Sequence, residues 1–206
     1  FIDKFGFPFC RGRLFDHCEP DDGQYDTIRE VFWATGACLI IRSKAYKNVK
    51  GLDKHFFAHM EEIDLCWRLK NGGYKIYCFP RSVVYHLGGG TLSVQSHKKN
   101  YLNFRNNLMM LAKNDYRKGF VFFLFLRMVL DGIAGVQMMF TRSPMHFIAV
   151  IHAHLSFYKR LPSLLKSRAY WRKRSSQPNM AGYYRRSLVS DYFLSSKKKF
   201  GDLPTN

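Results

Sequence analysis

The sequence predicts an α/β region followed by amphipathic, membrane-associated helices. Three observations carry that reading. Short β-branched or aromatic runs alternate with helical periodicity between residues 31 and 114. Two apolar segments follow, at 120–140 and 143–158. The charge is also unevenly placed: of a net +18, residues 1–90 hold 13 Lys/Arg against 11 Asp/Glu, and residues 91–206 hold the other 20 against 4. The chain therefore divides into an α/β region, 1–114, and a helical basic tail, 115–206, with different surroundings.

Residues 1–30 carry Gly6, Pro8, Gly12, Pro20 and Gly23 without sustained periodicity, which predicts a long loop over a functional site. Val31 to Arg42 reads as a buried strand broken at Thr35-Gly36. Ser43 is placed to cap a short helix through Val49, and Gly51-Leu52-Asp53 turns the chain back. A helix is expected from Glu61 to Leu69, with Ile63, Leu65, Cys66, Trp67 and Leu69 as its apolar surface and Gly72-Gly73 as its stop. Lys75–Phe79 and Val83–His86 read as short strands separated by Pro80. From Lys98 to Asn114, Tyr101, Phe104, Leu108 and Leu111 recur at amphipathic-helix spacing.

The tail changes character. Phe120 to Phe140 is apolar but interrupted by Arg127 and Asp131, which are spaced to pair on one helix face. The uninterrupted run Gly119–Leu126 is far shorter than the ~18 residues of a spanning helix. In-plane or re-entrant helices at a membrane surface are expected. His146, His152 and His154 do not share one helix face and read as packed or interfacial side chains. From Lys159 to Lys199 there are 12 Lys/Arg and one acid, Asp191, interleaved with Tyr170, Trp171, Tyr183 and Tyr184. That composition suits an anionic headgroup layer, where each cation contributes roughly 1 kcal/mol. The expected partner is an anionic membrane surface, at the cytoplasmic face of the cell membrane, with the protein peripheral or monotopic.

Chemistry concentrates in two places. Glu61, Glu62 and Asp64 open the predicted helix, where the positive end of the backbone dipole favours ionised carboxylates and so offers a base. Glu61 and Glu62 lie ~100° apart around a helix and so do not address the same atom, while Asp64 and Arg68 have the spacing of an ordinary ion pair. Downstream, His86 ends a β-branched run, and a neutral imidazole there is a common metal ligand. Together the two elements point to metal-assisted group transfer. The five cysteines form no CxxC pair, which suits free thiols, and His17-Cys18 lacks a second ligand pair at zinc spacing.

From Phe32 to Leu92 the run FWATGACLIIRSKAYKNVKGLDKHFFAHMEEIDLCWRLKNGGYKIYCFPRSVVYHLGGGTL resembles the C-terminal half of a family 2 glycosyltransferase catalytic domain, of the rhamnosyltransferase-like and galactofuranosyltransferase-like kind. The resemblance implies a GT-A (Rossmann-like) fold, a nucleotide-diphospho-sugar donor held through Mn²⁺ or Mg²⁺, and inversion at the anomeric carbon. Glu61-Glu62 falls where the family has its acidic pair, which makes Glu62 the catalytic base and Glu61 a substrate-binding neighbour. His86 falls where a histidine helps hold the cation. Trp33, Thr35 and Gly36 fall where the family lines its acceptor and donor-sugar pocket. Glu62 departs from the more usual Asp by one methylene. Arg105-Asn106 also resembles a motif that follows the family's catalytic core, and the sequence assigns it no role.

The implied activity is transfer of a sugar to a glycan or lipid-linked acceptor in cell-surface polysaccharide synthesis. No Asp-x-Asp motif precedes the matched block, so the chain is expected to be the C-terminal part of a longer enzyme and inactive by itself. Two rival readings come from other classes. The basic half suits nucleic acid, although the two apolar segments serve no purpose there, which makes nucleic acid the weaker partner. A membrane-surface scaffold without catalysis is the other.

Overall fold

The computed structural model describes residues 1–86, 96–175 and 177–204. Its strands are two residues each: β1 (Ile2–Asp3), β2 (Arg13–Leu14), β3 (His17–Cys18), β4 (Arg29–Glu30), β5 (Tyr77–Cys78) and β6 (Tyr183–Tyr184). The helices are α1 (Ser43–Asn48), α2 (Glu61–Asn71), α3 (His97–Asn114), α4 (Phe120–Thr141) and α5 (Pro144–Arg172). Among the described residues the strands make three pairs, β1–β6 parallel and β2–β3 and β4–β5 antiparallel. This mixture of helices and small sheets is compatible with an α/β chain.

The centre is α3, buried without interruption from Arg105 to Asn114. Its neighbours are α2, α4 and, along most of its length, α5. Phe32, Phe56, Trp67, Leu108, Met110 and Phe157 meet around it, with Phe32 edge-on to Trp67 at 5.2 Å. Ile2 and Leu164 belong to the same cluster, so regions 1–114 and 115–206 share a core.

Helix α2 forms where the sequence places it, because Ile63, Leu65, Cys66, Trp67 and Leu69 are all buried. It stops at Gly72, whose N–H reaches the Arg68 and Leu69 carbonyls, and Gly73 follows at φ 82°. Elsewhere the structure differs from expectation. Ser43 is the first residue of α1 and caps nothing; Arg42 holds the cap position. Val31–Arg42 is irregular, with pairing confined to β4 just before it and a Val31 N–H bond to Ile76 O. Of the two strands expected at 75–86, only Tyr77–Cys78 pairs.

The first thirty residues are more than a loop. Asp3 is fully buried and accepts N–H bonds from Phe5 (2.9 Å), Phe7 (2.8 Å) and Leu188 (2.8 Å), which fastens the amino-terminal turn to the far end of the chain. Burial outweighs these donors and pushes the Asp3 carboxyl up to about 6. Beside it, Gly182 sits at φ 80°, and a Cβ there would run into the Phe32 backbone nitrogen.

Helix α4 is continuous over 22 residues, with a mean hydropathy of 1.7, long and apolar enough to cross a membrane. Only 17% of this apolar stretch is buried inside the protein. The expected Arg127–Asp131 pair forms at 2.7 Å, on the inward side.

Candidate functional site: the start of α2

The site begins with a loop. Asp53 accepts the His55 N–H at 3.0 Å and starts a single 3₁₀ turn, Lys54–Phe56, whose Phe56 is fully buried. Phe57, His59 and Met60 then take φ values of 67°, 67° and 70°. Non-glycine residues in that region cost of order 1–3 kcal/mol each, so the surroundings must over-determine the conformation.

Two side chains of α3 do so. The Asn106 amide, fully buried, donates to the carbonyls of Phe56 (2.9 Å), Ala58 (2.8 Å) and His59 (2.7 Å). Arg105 donates to the carbonyls of His55 (3.3 Å) and Phe56 (3.1 Å), and through Nε to the Asn106 amide oxygen at 2.9 Å. The Arg105-Asn106 pair is thus a clamp on the loop that leads into α2. Nothing local in the sequence shows this, because the partners lie some fifty positions upstream.

The left-handed Met60 turns the chain directly into α2, and no side chain caps the helix. Glu61 and Glu62 open it, both partly buried. Each has a buried Oε2 without a hydrogen-bond partner, and so does Nε2 of His59. An unpaired buried acceptor costs about 1–3 kcal/mol, so three within four positions leave this spot with polar capacity that water or a ligand can take up. Burial raises the Glu62 carboxyl above its ordinary range; its own N–H opposes this, and the negative charge of Glu61 adds to it. This corrects the expectation that the helix dipole decides the matter, since desolvation wins for Glu62. The result is a better base than a solvated glutamate. His59 is shifted down, first by burial and then by Lys99, which favours the neutral imidazole.

Asp64 plays a different part. It is fully buried and accepts from Arg68 (2.9 and 2.7 Å), Lys113 (3.0 Å) and Asn114 (2.7 Å). Lys113 bridges on to Asp53 at 2.7 Å, and Arg68 also donates to the Val49 carbonyl. The predicted Asp64–Arg68 pair is present, but within a four-residue network that occupies both carboxylate oxygens. Asp64 is therefore structural.

The other candidates are less closely gathered. Trp33 donates to the Phe1 carbonyl at 2.6 Å and, with Ala34, packs against the cluster of Val31, Ile76 and Cys66, the last one turn beyond Glu62. Cys66 is close enough for the Glu62 charge to help raise its thiol to about 11, although burial is the larger cause. Thr35 and Gly36 are exposed at the end of this segment; the Thr35 hydroxyl accepts the Ala37 N–H at 3.4 Å, and a Cβ on Gly36 would meet nothing. His86 is exposed and bonds to no other described residue. The Gly88-Gly89-Gly90 run lies outside the described residues. Among the described residues no three His, Cys, Asp or Glu side chains are grouped to hold a metal, so these residues alone do not fit a divalent cation.

No family model matches the chain, and no solved structure gives a significant match. The curated proteins that it resembles are glycosyltransferases. It is 38% identical over 58 residues to N-acetylglucosaminyl-diphospho-decaprenol L-rhamnosyltransferase of Mycobacterium tuberculosis, a stretch covering 28% of this chain and 19% of that enzyme. Rhamnosyltransferase WbbL of Escherichia coli strain K12 is 33% identical over 61 residues, 30% of this chain and 22% of the relative. A longer match, 25% identical over 124 residues, covers 58% of this chain and 40% of the low-salt glycan biosynthesis hexosyltransferase Agl10 of Haloferax volcanii. The matched stretches thus span less than half the length of each of these relatives.

Proposed function

We propose that this chain carries the acceptor-side part of an inverting glycosyltransferase of family 2, with a GT-A fold in the complete enzyme, and that Glu62 is its base. The observation that carries the reading is the clamped, left-handed loop that delivers a partly buried Glu62 with an unpartnered oxygen and a raised proton affinity. The names of the relatives supply the class, a transfer of rhamnose or another hexose in glycan assembly.

In the proposed step, an acceptor hydroxyl oxygen attacks the anomeric carbon of a nucleotide-diphospho-sugar from the face opposite the leaving group. The bond to the diphosphate breaks with its electron pair, and the hydroxyl proton passes to Glu62. A positioned base of this kind contributes typically 10²–10⁴-fold. Glu61, beside it, holds the sugar hydroxyls, and Trp33, Thr35 and Gly36 border the pocket. The acceptor is a glycan or a lipid-linked glycan. A Mn²⁺ or Mg²⁺ ion belongs to this reading with His86 as one ligand and the others from outside the described residues. Turnover requires the nucleotide-binding part, so residues 1–206 alone are inactive.

The test is Glu62→Gln in the enzyme that includes the nucleotide-binding part. It keeps shape and hydrogen bonding but cannot take the proton, so kcat should fall by about 10²-fold or more with donor binding little changed. Near-parental turnover by Glu62→Gln, with Glu61→Gln inactive, would move the base to Glu61.

A further inference from the structure

Helix α4 is built inside out. Its two charged side chains, Arg127 and Asp131, are buried at 4% and 1% exposure, while its outward stripe is apolar. Phe122, Phe125, Val129, Ile133, Val136 and Phe140 follow one another at three- and four-residue intervals, with exposures of 61, 61, 43, 61, 43 and 80%. No charge interrupts that stripe between Phe120 and Thr141. The first half of α5 extends it with Met145, Ile148, Ile151 and Leu155, all exposed. A face of this kind is larger than the scattered apolar residues of an ordinary water-facing surface.

We propose that the joint α4–α5 face lies flat in the outer layer of an anionic membrane, with its stripe among the acyl chains and α4 parallel to the surface. Two observations choose this occupant and this orientation. First, cations frame the apolar face: Lys118 before α4, Arg142 at the turn into α5, and Lys159 where the apolar half of α5 ends, all exposed. This is the placement that lets long basic side chains reach headgroups while the stripe is immersed. Second, α4 is pinned at mid-length from behind. Arg127 bonds to the Phe5 carbonyl at 3.0 Å and to Asn107 Oδ1 at 2.5 Å, and stacks over Phe7 at 3.8 Å. A crossing helix would carry those polar partners and the domain behind them into hydrocarbon, whereas an in-plane helix leaves them on the wet side.

The proposal does not rest on the transferase reading, because vesicle binding needs no turnover. The whole chain is mixed with vesicles of phosphatidylglycerol in phosphatidylcholine and floated through a density gradient. Binding should occur, survive moderate salt, and fall at least ~10-fold when Phe122→Asp and Ile133→Asp are combined. Because two added charges could disturb folding, Phe125→Trp serves as the conservative companion, and the emission it adds over the parent, whose Trp33, Trp67 and Trp171 also emit, should be quenched by lipids brominated along the acyl chain. No quenching of that added emission in vesicle-bound protein would overturn the proposal. So would absence of flotation with a concentration-dependent dimer that the paired Asp substitutions dissociate, which would give the face to a second copy of the chain.

Discussion

The start of α2 and the middle of α4 both bury charge, and they do so in opposite ways. In α4, Arg127 neutralises Asp131 through Oδ1 and is further bonded to Asn107 and to backbone, while Asp131 Oδ2 has no hydrogen bond and only His154 nearby, at 3.6 Å. At α2, Glu61 and Glu62 keep buried oxygens without partners, on a loop held in an unfavourable conformation. The first arrangement is neutralised within the protein by an ion pair. The second has no cation paired with it among the described residues. Asp64, two residues from Glu62, shows that the difference is one of surroundings, since it belongs to the satisfied kind.

The sharpest way to break this comparison is to remove one charge from each place. Arg127→Met should cost about 3–5 kcal/mol in urea unfolding, because Asp131 is left buried with only His154, 3.6 Å away, as a possible partner, whereas Arg127→Met with Asp131→Leu should recover most of the loss. Equal losses for the single and double variants would mean that packing matters there, and pairing does not. Asp3 is intermediate, a buried acid satisfied only by backbone. Its folded value of about 6 lies above the ordinary 3.8, so the folded state holds the proton more tightly than the unfolded chain. Its contribution is therefore present at low pH and is lost as pH rises through about 6, by about 3 kcal/mol. Urea unfolding of the parent between pH 4 and pH 7 should show that slope, and Asp3→Asn should flatten it.

Asn106→Ala should cost about 2 kcal/mol or more by freeing three carbonyls, and should lower kcat by releasing the loop. Loss of stability with unchanged kcat would separate the clamp from the site. Glu62→Gln should leave the thermal midpoint unchanged or raise it, the reverse of Arg127→Met, because the charge removed has no partner to strand. The smallest effect concerns pH. Glu61→Gln removes the like charge that helps raise Glu62, so the acid limb of the kcat profile should move to lower pH. A limb that stays in place would make burial the whole cause.

What was legible in the sequence was local. The span of α2, its glycine stop and the period of α3 all follow from neighbouring residues, as does the Arg127–Asp131 pair. Glu61 and Glu62 could be singled out because they open a helix. What was hidden was distant. β1 pairs with β6 across nearly the whole chain, through two-residue strands too short to show any period. The same is true of the Asp64 network, whose Lys113 and Asn114 come from α3, and of the Asn106 clamp. The ionisation of Glu62 is hidden for a related reason, since desolvation depends on what packs nearby and the dipole only on position in a helix.

Three consecutive residues of α3 look toward both regions. Arg105 and Asn106 grip the loop ahead of Glu62, and Asn107 holds Arg127 of α4 and the Gly6 carbonyl. They span only about 3 Å along the helix axis, and packed helices stand about 8–10 Å apart. The acidic pair is thereby kept at a set height over the apolar face of α4. If the face is seated in a bilayer and Glu62 is the base, both as proposed above, that height would act as a ruler for a lipid-anchored acceptor, admitting hydroxyls carried on a spacer of matching length and passing over those held too close to the surface or too far above it.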